Sequence, residues 1–148
     1  MCIRDRPYLD GAIIRQLQEY PDCRTGLSRT ARQALTIIAQ GEKRPGRVFG
    51  LYQQTEERRF LGDASFWVML HELLESSPPL LEGTALSLPA RPDQTLSITT
   101  AGKEVLAGKR NWLDSLVLDR WMGGVHLTSS NSWCWNPVSA SLSKLGQP

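Results

Sequence analysis

A mainly helical α+β fold with a small β wing is what this sequence predicts, and three observations carry the prediction. Apolar residues recur at helical spacing in three successive segments between Leu27 and Ser76, two short β segments follow, and a Thr-capped helix closes the stretch at Gly108. That is the element order of a winged helix, here extended by a short C-terminal helix and strand. The scaffold serves both DNA reading and pure protein contact, so function has to be argued from the surface it presents.

Each element has its own signal. Pro7 suits a first helical turn, and Leu9, Ile13 and Leu17 recur at fourfold spacing until Tyr20-Pro21 ends the pattern. Ser28 caps a second helix with Ala31, Leu35 and Ile38 on its apolar side, and Gly41 supplies its left-handed stop. Pro45-Gly46 opens a segment in which Val48, Phe49, Leu51 and Tyr52 make two helical turns. Asp63 caps the best-patterned helix, in which Phe66, Trp67, Leu70, Leu73 and Leu74 share a face before Pro78-Pro79. Leu80-Leu81, Ala85 to Leu88 and Thr95 to Thr99 read as short strands forming the wing. Thr100 then caps a helix ending at Gly108, and Asn111 caps another that contains Trp112, Leu113, Leu116 and Val117. The apolar faces predict one contiguous buried cluster of Leu35, Ile38, Phe49, Phe66, Trp67, Leu70, Leu74, Ile98 and Leu106.

With 148 residues and 41% hydrophobic content, the chain has enough for one core. Residues 1–6 look like translated adapter sequence, residues 7–136 are expected as one winged-helix-like domain, and the Ser-rich 137–148 as a disordered tail. On that view the natural start is missing and the chain is the C-terminal part of a longer protein. The 17 basic residues are nearly balanced by 15 acidic ones, and a net charge of +2 with a pI near 8.6 does not imply a nucleic-acid or membrane partner. Any binding patch has to be local. Cys2, Cys23 and Cys134 form no CxxC pair, and free thiols in a reducing cytosol are expected. The localisation expected is therefore cytoplasmic, and no apolar run approaches the roughly 18 residues of a membrane span.

Four strings carry a resemblance: Gly26-Leu27-Ser28-Arg29-Thr30; Phe60-Leu61-Gly62-Asp63; Leu96-Ser97-Ile98-Thr99-Thr100-Ala101-Gly102 with Val105-Leu106-Ala107-Gly108; and Asp119-Arg120-Trp121-Met122-Gly123-Gly124-Val125-His126-Leu127. From about Pro7 to Trp135 the chain resembles the C-terminal half of an uncharacterised bacterial family, a domain of unknown function. Longer members carry an additional α/β domain ahead of this region. The resemblance implies no activity, but it implies a partner: the chain's own N-terminal α/β domain. One departure is Ala31, where family members often have a Glu that would complete a capping box with Ser28.

The Asp119 to His126 string sets an acid, a base, an indole, two glycines and an imidazole within eight residues. One reading makes Asp119 and His126 an acid–base pair. The reading adopted is a structural clasp of Asp119, Arg120, Trp121, Gly123, Gly124 and His126. In it Asp119 pairs with Arg120 or caps a turn, Gly123-Gly124 permits positive φ, and Val125-His126-Leu127 is a strand with His126 on its polar side. No second catalytic group is identifiable, so no catalytic residue is assigned. His71 has no nearby ligand set, the glycine doublet fits no phosphate-cradling pattern, and neither a metal nor a cofactor is expected. Trp67 and Trp112 belong to the core, and Trp133 and Trp135 alternate onto one strand face to seal the terminal segment.

What remains is basic. Arg44 and Arg47 precede or open one helix, and Arg58 and Arg59 lie in the following loop, as candidate anion or nucleic-acid contacts. The helix from Asp63 to Ser76, however, presents Asp63, Ser65, His71, Glu72, Glu75 and Ser76, so a phosphate backbone would meet carboxylates. Sequence-specific DNA binding is therefore disfavoured. The function expected is a non-catalytic interaction or scaffold module that contacts its own N-terminal domain or a protein partner. The alternative is a nucleic-acid-binding regulator that uses the Arg clusters. An exposed apolar patch on the Leu9 to Leu17 helix would favour the first, and a contiguous basic face the second.

Overall fold

The computed structural model describes residues 6–84, 86–87 and 89–145, and within them five helices and three two-stranded antiparallel sheets make a mixed α+β architecture. Helix α1 (Leu9–Leu17) departs from its expected facing. Ile13 is 46% exposed, and the helix's buried residue is Arg15. The chamber beneath α1 is polar, so the helix turns a charged side chain inward and leaves its isoleucines outside.

Helix α2 (Arg29–Ala39) starts as the sequence indicates. The Ser28 hydroxyl accepts the Ala31 N–H at 3.1 Å, and Ala31, Leu35 and Ile38 are buried. Helix α3 (Pro45–Thr55) uses proline in its first turn and buries Val48 and Tyr52, while Leu51 turns outward. Helix α4 (Asp63–Glu75) is capped by Gly62, so Asp63 is its first residue and not its cap. Its carboxylate accepts the Ala64 N–H at 2.8 Å and complements the positive end of the helix. Phe66, Trp67, Leu70 and Leu73 point inward.

Strand β1 (Leu81–Gly83) pairs antiparallel with β2 (Leu96–Ile98), Leu81 opposite Ile98. Of the strand expected from Ala85 to Leu88, the two end residues lie outside the described residues, and Leu86 and Ser87 are in no strand. Helix α5 (Thr100–Leu106) is capped one residue earlier than expected, by Thr99, whose hydroxyl accepts the Gly102 N–H at 3.0 Å. Asn111 does cap its element, its Oδ1 accepting the Leu113 N–H at 3.0 Å, but only a 3₁₀ turn (Trp112–Asp114) follows. Val117 is 86% exposed, so it adds no packing that would hold a longer helix there.

Two hairpins finish the chain, β3 (Asp119–Met122) with β4 (Val125–Thr128) and β5 (Trp133–Asn136) with β6 (Ser141–Lys144). Strand β6 lies inside the expected disordered tail. The Asn136 Oδ1 accepts the N–H groups of Val138 at 2.9 Å and Ser139 at 3.3 Å, and that local turn sends the chain back along β5.

Two cores result. All nine residues of the expected cluster join the main one, with Leu35, Ile38, Phe66, Trp67 and Leu70 buried and Phe49, Leu74, Ile98 and Leu106 partly buried at its margin. Tyr52 stacks on Phe66 with ring centroids 5.0 Å apart. The second core holds Tyr20, Leu118, Leu127 and Trp135 and lies under the hairpins. The free thiols expected at Cys23 and Cys134 are instead one disulfide across 111 residues. The pairing follows from backbone hydrogen bonds that set the segment after α1 beside β5: the Cys23 N–H donates to the Trp135 carbonyl at 3.0 Å, and the Trp135 N–H to the Pro21 carbonyl at 2.8 Å. The ground for expecting a reducing compartment is thereby removed. Among the described residues, no helix is long and apolar enough to cross a membrane.

Candidate functional site

Gly123 and Gly124 have φ of +55° and +82°, so the chain reverses in two residues and Trp121 comes directly opposite His126. Strand alternation then places Asp119, Trp121, His126 and Thr128 on one side and Arg120, Met122, Val125 and Leu127 on the other. On the outer side the Trp121 and His126 rings are parallel within 3° with centroids 4.7 Å apart, and His126 Nε2 meets Asp119 Oδ1 at 2.6 Å. Trp121 is 69% exposed. On the inner side Arg120 hydrogen-bonds Glu72 of α4, and Leu127 is fully buried in the second core. The expected Asp119–Arg120 pair is therefore not made, because neighbouring strand residues point to opposite sides. The acid finds its partner diagonally across the hairpin, and the base finds one on a helix.

The Asp119–His126 pair sits on an open surface. Its geometry is that of a hydrogen-bonded acid and imidazole, and a general base would in addition need a pocket holding the reacting atom about 3 Å away. His71 reaches Glu75 at 3.3 Å, one turn along the same helix, and the described residues contain no cluster of three or more metal-ligating side chains.

The four candidate arginines do not converge. Arg47 Nε donates to Glu42 at 2.9 Å, and the same carboxylate accepts the N–H groups of Lys43 and Arg44. The Arg44 N–H foremost, with Lys43 and Arg47, holds the Glu42 carboxyl below the ordinary carboxylate range. Arg59 Nε donates to the Gln53 carbonyl at 3.0 Å, and the guanidinium of Arg58 lies over Gly11 of α1.

Sequence reasoning missed Arg15, whose guanidinium is heavily hydrogen-bonded. Arg15 makes a forked contact with Glu56, at 2.8 Å and 2.7 Å, and also reaches Glu19 at 2.6 Å and the Thr30 hydroxyl at 3.0 Å. Burial by itself would lower its pKa, but the bonds to Glu56 and Glu19 outweigh that and raise it, so the guanidinium stays charged. The result ties α1 to α2 and to the end of α3. With Arg15 inward, Ile13 and Ile14 are each 46% exposed, and Phe60, with its ring centroid 4.8 Å from the Arg15 guanidinium carbon, is 47% exposed beside the same helix. The fourfold apolar spacing of Leu9, Ile13 and Leu17 was visible in the sequence; that Leu17 would pack on the second core while Ile13 faced outward was not.

Compared with known proteins, the chain matches no family model, no curated protein and no solved structure.

Proposed function

We propose that this chain is a non-catalytic, winged-helix-like interaction module that docks a folded protein domain through the outer side of α1. The observation that carries the reading is the half-exposed trio Ile13, Ile14 and Phe60. Helices of globular proteins ordinarily turn their apolar residues to the core, and contiguous apolar surface marks a contact site. The α/β domain that the family resemblance implies is the partner of choice. The Arg clusters support a nucleic-acid reading poorly, since Arg47 is paired with Glu42 and Arg58 and Arg59 are held against α1 and Gln53. A disulfide between Cys23 and Cys134 also favours an oxidising compartment over the cytosol.

The experiment is to recover the complete reading frame and produce its upstream domain and this chain as two polypeptides. They should co-elute as one complex, and the double variant Ile13→Asp/Ile14→Asp should abolish the complex while leaving the chain's melting temperature nearly unchanged, because both side chains are already half in water. A frame without a folded upstream domain, or a complex indifferent to the double variant, refutes the reading.

A further inference from the structure

We propose that the cavity between the first turn of α2 and strand β5 binds a small organic anion, its carboxylate or phosphate head held by Arg29 and Arg32 and its apolar body laid against Trp135 and Pro137. The cavity measures about 320 Å³, which is within the size range of small-molecule sites. Its charge is unbalanced. Arg29 Nη1 donates at 2.7 Å to the side chain of Gln18, a neutral amide, and the exposed Arg32 side chain makes no hydrogen bond or ion pair with any described residue. Asp22 is the one carboxylate in the lining, and its Oδ1 is already occupied by the N–H groups of Arg24 at 2.9 Å and Thr25 at 3.0 Å. Two guanidiniums three residues apart on one helix face the same space, which suits a forked contact with an oxyanion.

A second observation points to a ligand with more than a charge. The opposite wall is apolar and fixed: Trp135 and Tyr20 are each 6% exposed, belong to the second core, and stand next to the disulfide that anchors β5. A neighbouring cavity of about 530 Å³ shares Asp22, Arg32 and Pro137 with the first and adds Arg24, so Arg32 stands where the two meet and a longer ligand has room to continue. Gln18 and Arg29 also line a smaller cavity beside Ile14, so the site adjoins the docking side of α1 without including Ile13 or Phe60.

The test is an NMR titration of the whole chain with three probes: phenyl phosphate, phenylacetate and inorganic phosphate. The indole N–H signal of Trp135, assigned with Trp135→Phe, is the reporter. Phenyl phosphate should shift that signal saturably with a Kd below about 1 mM, and Arg32→Gln, which removes no side-chain hydrogen bond or ion pair among the described residues, should weaken binding roughly tenfold at unchanged melting temperature. Phenylacetate binding as well would assign the site to carboxylates and phosphates alike, and its failure would assign it to phosphate esters. Inorganic phosphate binding as tightly as phenyl phosphate would overturn the role of the apolar wall. The absence of a saturable shift with both aromatic anions, or a shift indifferent to Arg32→Gln, would overturn the site.

Discussion

Arg15 enters the protein with a charge that water would otherwise solvate, and Glu56, whose side chain is fully buried, enters with the opposite one. A buried pair of this kind contributes little compared with an apolar replacement of both members, yet losing one member strands the other. Arg15→Met should therefore cost about 3–5 kcal/mol in chemical denaturation. Phe66→Ala should cost a similar amount, about 3–5 kcal/mol, by opening a cavity where the ring now meets Phe49, Tyr52 and Trp67. Tyr52 adds a pH dependence whose sign follows from its environment. Burial, foremost, pushes its phenol above the usual 10.0, so the folded state holds the proton more tightly than the unfolded chain. The stabilisation is full below pH 10 and is lost as the pH rises through the folded-state pKa. Denaturation midpoints should hold up to pH 10 and fall as the pH rises further in the native chain, and the fall should be shallower in Tyr52→Phe. A parallel fall in both would mean that Tyr52 is not the group responsible.

At the scale of elements, local signals were legible and distant ones were not. Ser28 and Asn111 could be read as caps because a cap needs only its own next few residues, and the Gly123-Gly124 doublet could be read as a turn for the same reason. The inward facing of α1 could not, since Glu56 is 41 residues from Arg15. Nor could the Cys23–Cys134 pairing, which depends on β5 coming alongside residues 21–23, or strand β6, whose residues lack an apolar alternation strong enough to show. The β3–β4 hairpin, half legible, yields a contrast. Trp121 is largely exposed and stacks on His126, so Trp121→Ala should cost at most about 1 kcal/mol, less than its place in a dense motif suggests. Gly124→Val should cost more, about 1–2 kcal/mol, because a β-branched residue is strained at φ +82°. Thermal melts of the two variants side by side decide the order, and a Trp121→Ala loss larger than that of Gly124→Val would mean that the indole anchors the hairpin.

Among the described residues, the two C-terminal hairpins are fastened to the helical core by Arg120 with Glu72, the Tyr20–Leu127–Trp135 cluster, the backbone hydrogen bonds of residues 21–23 with Trp135, and the disulfide. A crosslink closing so long a loop removes much freedom from the unfolded chain, and reduction or a Cys23→Ser/Cys134→Ser exchange should cost about 2–5 kcal/mol. A melting temperature indifferent to reductant would contradict that joint. Because Arg15 fills the polar chamber beneath α1, the helix keeps its isoleucines on the outside, and this surface is the centre of the functional account. The most direct measurement is the solvent exposure of the Ile13 and Ile14 methyl groups, read as relaxation enhancement by a soluble gadolinium chelate, in this chain alone and in the presence of the α/β domain proposed as its partner. Strong enhancement is expected in the chain alone and near-complete protection in the presence of that domain. Equal enhancement in both would show that nothing docks on α1.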